Sequence, residues 1–312
     1  MNLFSLAKMF PTEDAAVEYW IATRWPDGVR CVGCDHDTVY RIHTMSKPSK
    51  ANEIGKPVLL FECGKCRLHF SPTAGTLFHD SHLPLQKWFA AIALMCEAKK
   101  GVSANQLKRH LGVTYKTAWY LAHRIRKAMS DDSPDPLGSE GQVLEVDESF
   151  VGGTTKLAGS KEAQRRKVKV LGIAERGGRV HLKKIKNLQG ETLAPLLEAT
   201  ISPNAGAIHT DGAPKFKNLI PKAKHVRGNH LEELKTGTVS NQTIEGVFSL
   251  FKRGVVGSYH KLGVEHMDAY LGEFCWRYNR RRYQSEMFDA ALSNMRRGPM
   301  PYAKLKGGDN PF

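Results

Sequence analysis

The stretch QVLEVD (142–147), followed by KVKVLGIAE (167–175) and GRVHLKKI (178–185), reads as three successive strands. Their apolar side chains alternate with polar ones or run together, as in strands buried on one or both faces. Arg176-Gly-Gly178 supplies the turn between the second and third. Beyond them, Glu191–Thr200 carries an apolar stripe at helical spacing, and Ala207–Gly212 is a short strand ending on an acid. A fifth strand is expected within 223–230. A helix opens at Ser240-Asn-Gln-Thr-Ile-Glu245 and runs through Phe251. The order β-β-β-α-β-(α)-β-α predicts an antiparallel meander of three strands, extended by parallel strands through crossovers. That is the order of an RNase H-like α/β domain, expected over residues 142–300.

The same order brings three carboxylates together. Asp147 lies on the first strand, Asp211 ends the strand expected beside it, and Glu245 lies on the helix that packs across the sheet. Sixty-three residues separate the two aspartates and 33 separate Asp211 from Glu245. Clustered carboxylates repel one another unless cations neutralise them. Oxygen ligands with open positions suit Mg²⁺ or Mn²⁺, and two such ions about 3.5–4 Å apart support an in-line phosphoryl displacement. Lys252 follows Glu245 by two helical turns, shares its face, and suits a substrate phosphate. Glu148 and Asn241 are the competing ligands. Glu148 is expected on the strand face opposite Asp147, and Asn241 lies one turn before Glu245. Each acid also has an ordinary reading, as a strand-end turn former or as a first-turn acid favoured by the helix dipole.

Four of the six cysteines form two pairs, Cys31-Val-Gly-Cys34 and Cys63-Gly-Lys-Cys66, with 28 residues between them. Two thiolates of one Cys-x-x-Cys knuckle reach one ion, and two knuckles complete the tetrahedral shell of a structural zinc. Two disulfides are the alternative, and a reducing compartment argues against them. The residues between the pairs read as hairpin strands around a polar loop, so residues 1–70 are expected as an N-terminal helix and a four-cysteine zinc ribbon. Ala16, Tyr19, Trp20 and Thr23 mark that helix, with Pro11-Thr12 at its start. Cys96 and Cys275 sit in apolar helical patterns and read as core.

Leu85, Trp88, Phe89, Ile92 and Met95 recur at helical spacing. After Gly101, Ser103 is expected to cap a helix over Ala104–Leu111. Gly112-Val-Thr114 makes a turn, and Tyr115–Met129 forms a second helix, with Trp119, Ala122, Ile125 and Met129 on its buried face. This is a helix-turn-helix outline, assigned to residues 71–130. Residues 131–141 read as a linker and 301–312 as a loose tail. The architecture expected is therefore multidomain α+β.

The chain of 312 residues has 46 Lys and Arg against 31 Asp and Glu, a net charge of +15. Between Leu83 and Met129, nine basic residues face the single acid Glu97. Cations so placed neutralise nucleic-acid phosphates. Tyr115, Lys116, Thr117 and Tyr120 start the second helix, where base edges are usually met. Arg124, Arg126 and Lys127 follow and suit phosphates. A helix over 264–283, apolar at Leu271, Phe274 and Tyr278, ends in Arg280-Arg-Arg282. Hydrophobic content of 41% supports a core, and no apolar run approaches the ~18–20 residues of a membrane span. MNLFSLAKMFPTEDAA (1–16) lacks signal-peptide features, so a cytoplasmic protein that does not enter membranes is expected.

Over nearly its whole length the chain resembles the zinc-ribbon DDE transposases of bacterial insertion sequences, the ISXO-two-like group. The resemblance rests on the two cysteine pairs, AGTLFH (74–79), LPLQKW (83–88), GVTYKTAW (112–119) and RIR (124–126). It continues through EVDESFVGG (145–153), HTDG (209–212), NQTIEG (241–246), KRGVVGSYH (252–260) and EFCWRYNR (273–280). It implies catalytic acids at Asp147, Asp211 and Glu245 and a basic partner at Lys252. Related groups place Asn at the third position, which keeps Asn241 beside Glu245. APKFK (213–217) lacks the Trp or Tyr expected there. The implied activity is binding of double-stranded DNA at the element's terminal inverted repeats, then metal-dependent cleavage and transfer to target DNA. It implies at least a dimer, working at the bacterial nucleoid. A DNA-binding regulator with an inactive second half, or a nuclease that cuts without joining, are the rival readings.

Overall fold

The zinc-ribbon sheet consists of β1 (Val39–Met45), β2 (Pro57–Cys63) and β3 (His69–Phe70), in the order β1-β2-β3 and antiparallel throughout. The computed structural model describes residues 3–48, 54–130, 135–152, 167–211, 214–216, 218–228 and 241–306. The polar centre of the β1–β2 loop and the far end of the tail, 307–312, lie outside them. Helices α1 (Leu3–Met9) and α2 (Glu13–Arg24) precede the ribbon. Thr12 caps α2 as expected, its Oγ1 accepting from the Ala15 amide at 3.2 Å. Trp20 is fully buried and T-stacks on Phe78 at 4.8 Å.

Three helices follow: α3 (Leu85–Glu97), α4 (Ala104–Leu111) and α5 (Tyr115–Ala128). Leu85, Trp88, Phe89, Ile92 and Met95 are all buried, as their spacing predicts. Gly112 takes the left-handed conformation, φ +61°, that the tight α4–α5 turn demands. Thr114 then caps α5, its Oγ1 accepting from the Thr117 amide at 3.1 Å.

The second sheet is built from β4 (Leu144–Val151), β5 (Val168–Glu175), β6 (Val180–Ile185), β7 (Ile208–Thr210) and β8 (His225–Arg227). Its order is β6-β5-β4-β7-β8. The first three strands run antiparallel, and β7 and β8 add in parallel. This is the RNase H-like arrangement that the element order predicts. One face is covered by α6 (Gly190–Thr200), over a core containing Leu144, Val146, Ile173, Leu193 and Ile208. The other carries α7 (Gln242–Gly254) and α8 (Met267–Asn279), over Val151, Val170, Ile244, Phe248 and Leu271. Cys96 and Cys275 are buried, as read.

The chain divides into two units differently from the expected boundaries. One takes segments within Met1–Glu97, Ala104–Ala128 and Gln284–Pro311, and the other takes Ala98–Ser103 and Met129–Tyr283. Residues 284–300, expected in the RNase H-like domain, belong to the first unit through α9 (Met287–Asn294). Phe288 of α9 meets Phe89 of α3 edge-on at 5.8 Å. An amphipathic pattern announces such a helix without naming its partner. The expected loose tail contains α10 (Tyr302–Lys306), with Leu305 buried. The expected linker is packed at Leu137 and Gly138 and otherwise exposed over 135–141, and 131–134 lie outside the described residues. Leu137 is buried and exchanges backbone hydrogen bonds with Thr200 and Ser202. Its Pro- and Gly-rich flanks hide one apolar anchor.

Gly172 on β5 pairs in register with Asp147 on β4. A Cβ there would lie 2.6 Å from the Phe248 ring and 2.7 Å from Ile244, so the missing side chain lets α7 approach the sheet. Gly172→Ala should lower the stability of this unit by about 1–3 kcal/mol through overpacking. Urea unfolding would measure it, and an unchanged midpoint would refute the close fit.

Candidate functional site

Asp147 projects from β4 on the face covered by α7. Asp211 follows the last residue of β7, which pairs with β4 only as far as Leu144↔Ile208 and Glu145↔His209. Past that point β4 has no partner strand on this edge among the described residues, and the carboxylates converge. Ligand oxygens of Asp147, Glu148 and Asp211 all lie within 4.8 Å of one another. This corrects the expectation for Glu148. Strand alternation sends its Cβ to the opposite face, but the open strand end lets the carboxylate reach round to Asp211. Lys215, in the single turn Pro214–Phe216, pairs with Glu148 and lies 3.8 Å from Asp211 Oδ2.

Glu245 is not in this group; it is exposed in the first turn of α7. Its helix is nonetheless tied to the site. The buried Glu145 carboxylate accepts from the Ile244 amide at 2.9 Å and from Arg176 Nε at 2.7 Å. Glu145 is two residues from Asp147 on the same strand face, so it anchors the N-terminus of α7 beside the aspartate. Sequence reasoning passed over Glu145, although period-two alternation in LEVD contains the signal. Asn241 is buried at the head of the helix, and its carbonyl accepts from the Glu245 amide.

Burial pushes the Asp147 carboxyl up to about 7; the charges of Glu148 and Asp211 add to this, and the Glu148 amide and Lys215 oppose it. Lys252 is shifted down by partial burial and by Lys167, with Asp147 pulling the other way. Lys252 and Asp147 are therefore within electrostatic reach of each other. Because the folded value of Asp147 exceeds its unfolded value near 3.8, the protonated acid stabilises the fold. That contribution is complete below about pH 4 and is lost as pH rises through about 7. With zinc retained and no other divalent cation, Asp147→Asn should be more stable than the parent above pH 7, by of order a few kcal/mol. The gap should close toward pH 4. Thermal melts across pH test this, and a pH-independent gap would refute it.

The four knuckle cysteines form a second constellation, all sulfurs lying within 4.8 Å of one another. Cys31 Sγ is 3.6 Å from Cys66 Sγ, and Cys34 Sγ is 3.6 Å from Cys63 Sγ. A tetrahedral zinc with bonds of ~2.3 Å has sulfur–sulfur edges of about 3.8 Å, so the set fits the ion. All six cysteines are free in this structure, and the 3.6 Å sulfur–sulfur distances suit a shared ion rather than disulfide bonds. Amides of Cys66 and Lys65 draw the Cys63 thiol down to about 6, favouring the thiolate that zinc takes.

The helix-turn-helix face is only partly as expected. Tyr115 and Lys116 are exposed, and Thr117 and Tyr120 are half-buried. Lys116 Nζ lies 5.0 Å from the Tyr302 ring, and the Tyr120 hydroxyl donates to the Met300 carbonyl. Arg124 and Arg126 are buried, and this corrects their assignment to phosphates. Arg124 donates to the His79 carbonyl at 2.8 Å and stacks over Tyr120. Lys127 is half-buried. Charge counting along a helix does not distinguish a guanidinium satisfied by carbonyls from one facing solvent.

Residues 140–279 match the ISXO2-like transposase domain, and residues 11–69 match the transposase zinc-ribbon domain. Each segment is similar to the transposase family that it matches. A protein of Halobacterium salinarum, described as an uncharacterized protein in transposable element ISH50, is 30% identical over 144 residues. The match covers 46% of this chain and 44% of that protein, so the chain spans less than half of its relative. The ISXO2-like segment contains Asp147, Glu148, Asp211, Glu245 and Lys252, and the zinc-ribbon segment contains all four knuckle cysteines. No helix among the described residues is long and apolar enough to cross a membrane.

Proposed function

We propose that the chain is a DDE transposase that binds the terminal inverted repeats of its element and cleaves and joins DNA by metal-dependent, in-line phosphoryl transfer. The observation that carries this is the meeting of Asp147, on β4, with Asp211, just past the end of the adjacent parallel strand β7, inside the segment matching the ISXO2-like transposase domain. Carboxylates crowded together and partly buried are costly unless cations neutralise them.

Asp147 and Asp211 hold the cations, and the head of α7 adds Glu245 or Asn241 as substrate closes the site. Two Mg²⁺ or Mn²⁺ ions, when bound, supply Lewis-acid activation of a water or 3′-hydroxyl and of the leaving oxygen. Lys252 holds a non-bridging oxygen of the scissile phosphate. Glu145 keeps α7 at the correct height above β4. The ribbon and the start of α5, at the exposed Tyr115 and Lys116 and the half-buried Thr117, bind the element ends. Two ends must be held together for joining, so the active species is at least a dimer, acting on double-stranded DNA at the nucleoid.

The test is an assay with supercoiled target, labelled element ends and Mg²⁺. Joined products support the transposase. Cuts without joining would replace it with a nuclease, and binding alone with a regulator.

A further inference from the structure

We propose that Glu148 is a ligand of the divalent cation held by Asp147 and Asp211, and that the Lys215 ammonium is the counter-charge which that cation displaces. This rests on reading the acidic cluster as the cation site. Glu148, and not Glu245, completes the group of three carboxylates whose oxygens lie within 4.8 Å. Its side chain is only 12% exposed, yet one oxygen, Oε2, is buried without a hydrogen-bond partner among the described residues. A buried carboxylate oxygen left unsatisfied is costly, and an oxygen-seeking cation removes that cost. The other oxygen pairs with Lys215, whose ammonium is also 3.8 Å from Asp211 Oδ2. Lys215 is thus a monovalent neighbour of two carboxylates of the cluster.

A lysine is suited to such temporary occupancy. Its charge is compact and carried on a flexible stem, and the turn bearing it spans only Pro214–Phe216. An ammonium and a divalent ion held by the same two carboxylates repel each other strongly. Cation binding therefore displaces the Lys215 ammonium from the two carboxylates. The consequence is a site whose charge is partly balanced before the cation enters.

The test titrates Mn²⁺ alone into the zinc-loaded full chain, followed by loss of the free Mn²⁺ electron paramagnetic resonance signal. It compares the parent with Glu148→Gln, Lys215→Met and Asp147→Asn, each checked by thermal melting. Glu148→Gln is expected to weaken Mn²⁺ binding at least about tenfold, and Lys215→Met to tighten it several-fold. If Glu148→Gln binds like the parent while Asp147→Asn loses binding, Glu148 is only a structural partner of Lys215; the inference fails and the proposed function stands. Weaker binding by Lys215→Met also overturns the inference, and that variant decides the matter should Glu148→Gln not fold. If Asp147→Asn binds like the parent, the cation site lies elsewhere, and both readings fall.

Discussion

Asp147→Asn is expected to reduce both cleavage and joining of element ends by ~10³-fold or more, while binding of those ends stays within about twofold of the parent. The substitution keeps the side-chain volume and removes the charge. Asp147 lies in the middle of β4, paired in register with Gly172, and its carboxyl is already pushed up to about 7 by burial and by Glu148 and Asp211. On the proposed function, these crowded charges are the ones that hold the cations. The exposed residues of α5 belong to the other compact unit, so loss of chemistry and retention of binding should separate cleanly. The measurement is product formation per bound complex, with binding followed by gel shift. Joining that persisted in Asp147→Asn would sink the proposed site. Together with the predicted gain in stability above pH 7, the variant should be sturdier and inert.

Withdrawing zinc should have the second large effect. The ribbon core is small. Its buried members are Ile21, Cys31, Phe61, Cys63 and Phe70, so two of them are themselves knuckle cysteines. Structural zinc sites contribute on the order of 10–16 kcal/mol of apparent binding free energy in small fingers, far more than so few apolar side chains supply. Chelation, or Cys63→Ser, is expected to unfold residues 39–70 and to abolish specific binding of element ends. Strands β4–β6, with cores on both faces, should keep their structure. Amide hydrogen exchange reads the two regions separately. Retained protection over 57–63 after zinc removal would refute a structural role for the metal.

The legible parts of the chain are those where periodicity and chain-end chemistry agree. Ser103, Gly112 and Thr114 bracket α4 and α5 so tightly that the expected Ala104–Leu111 matches α4 to the residue, and α5 starts at Tyr115 as expected but ends at Ala128, one residue early. The alternation in QVLEVD, KVKVLGIAE and GRVHLKKI yields β4, β5 and β6 and puts Asp147 on the helix-covered face. The unread parts depend on three-dimensional neighbours. Arg124 and Arg126 carry the charge a DNA contact needs, but they are buried, and Arg124 is spent on a carbonyl and an aromatic ring. Glu148 obeys the alternation rule at its Cβ and escapes it at its carboxylate, because β7 stops short. Lys215 and Leu137 each sit among turn-forming residues, where composition gives no sign of a partner.

On the proposed function, Gly172 has a consequence for how such an element decays. The spacing between α7 and the sheet depends on a hydrogen atom standing where every other residue has a carbon. A copy carrying one extra methyl group there would retain all its acids, its lysine and its zinc, and would look intact to anyone checking the motif. With the head of α7 lifted from Asp147, it would still occupy element ends without processing them. Silent copies of this kind would be competitors of the working enzyme rather than mere losses.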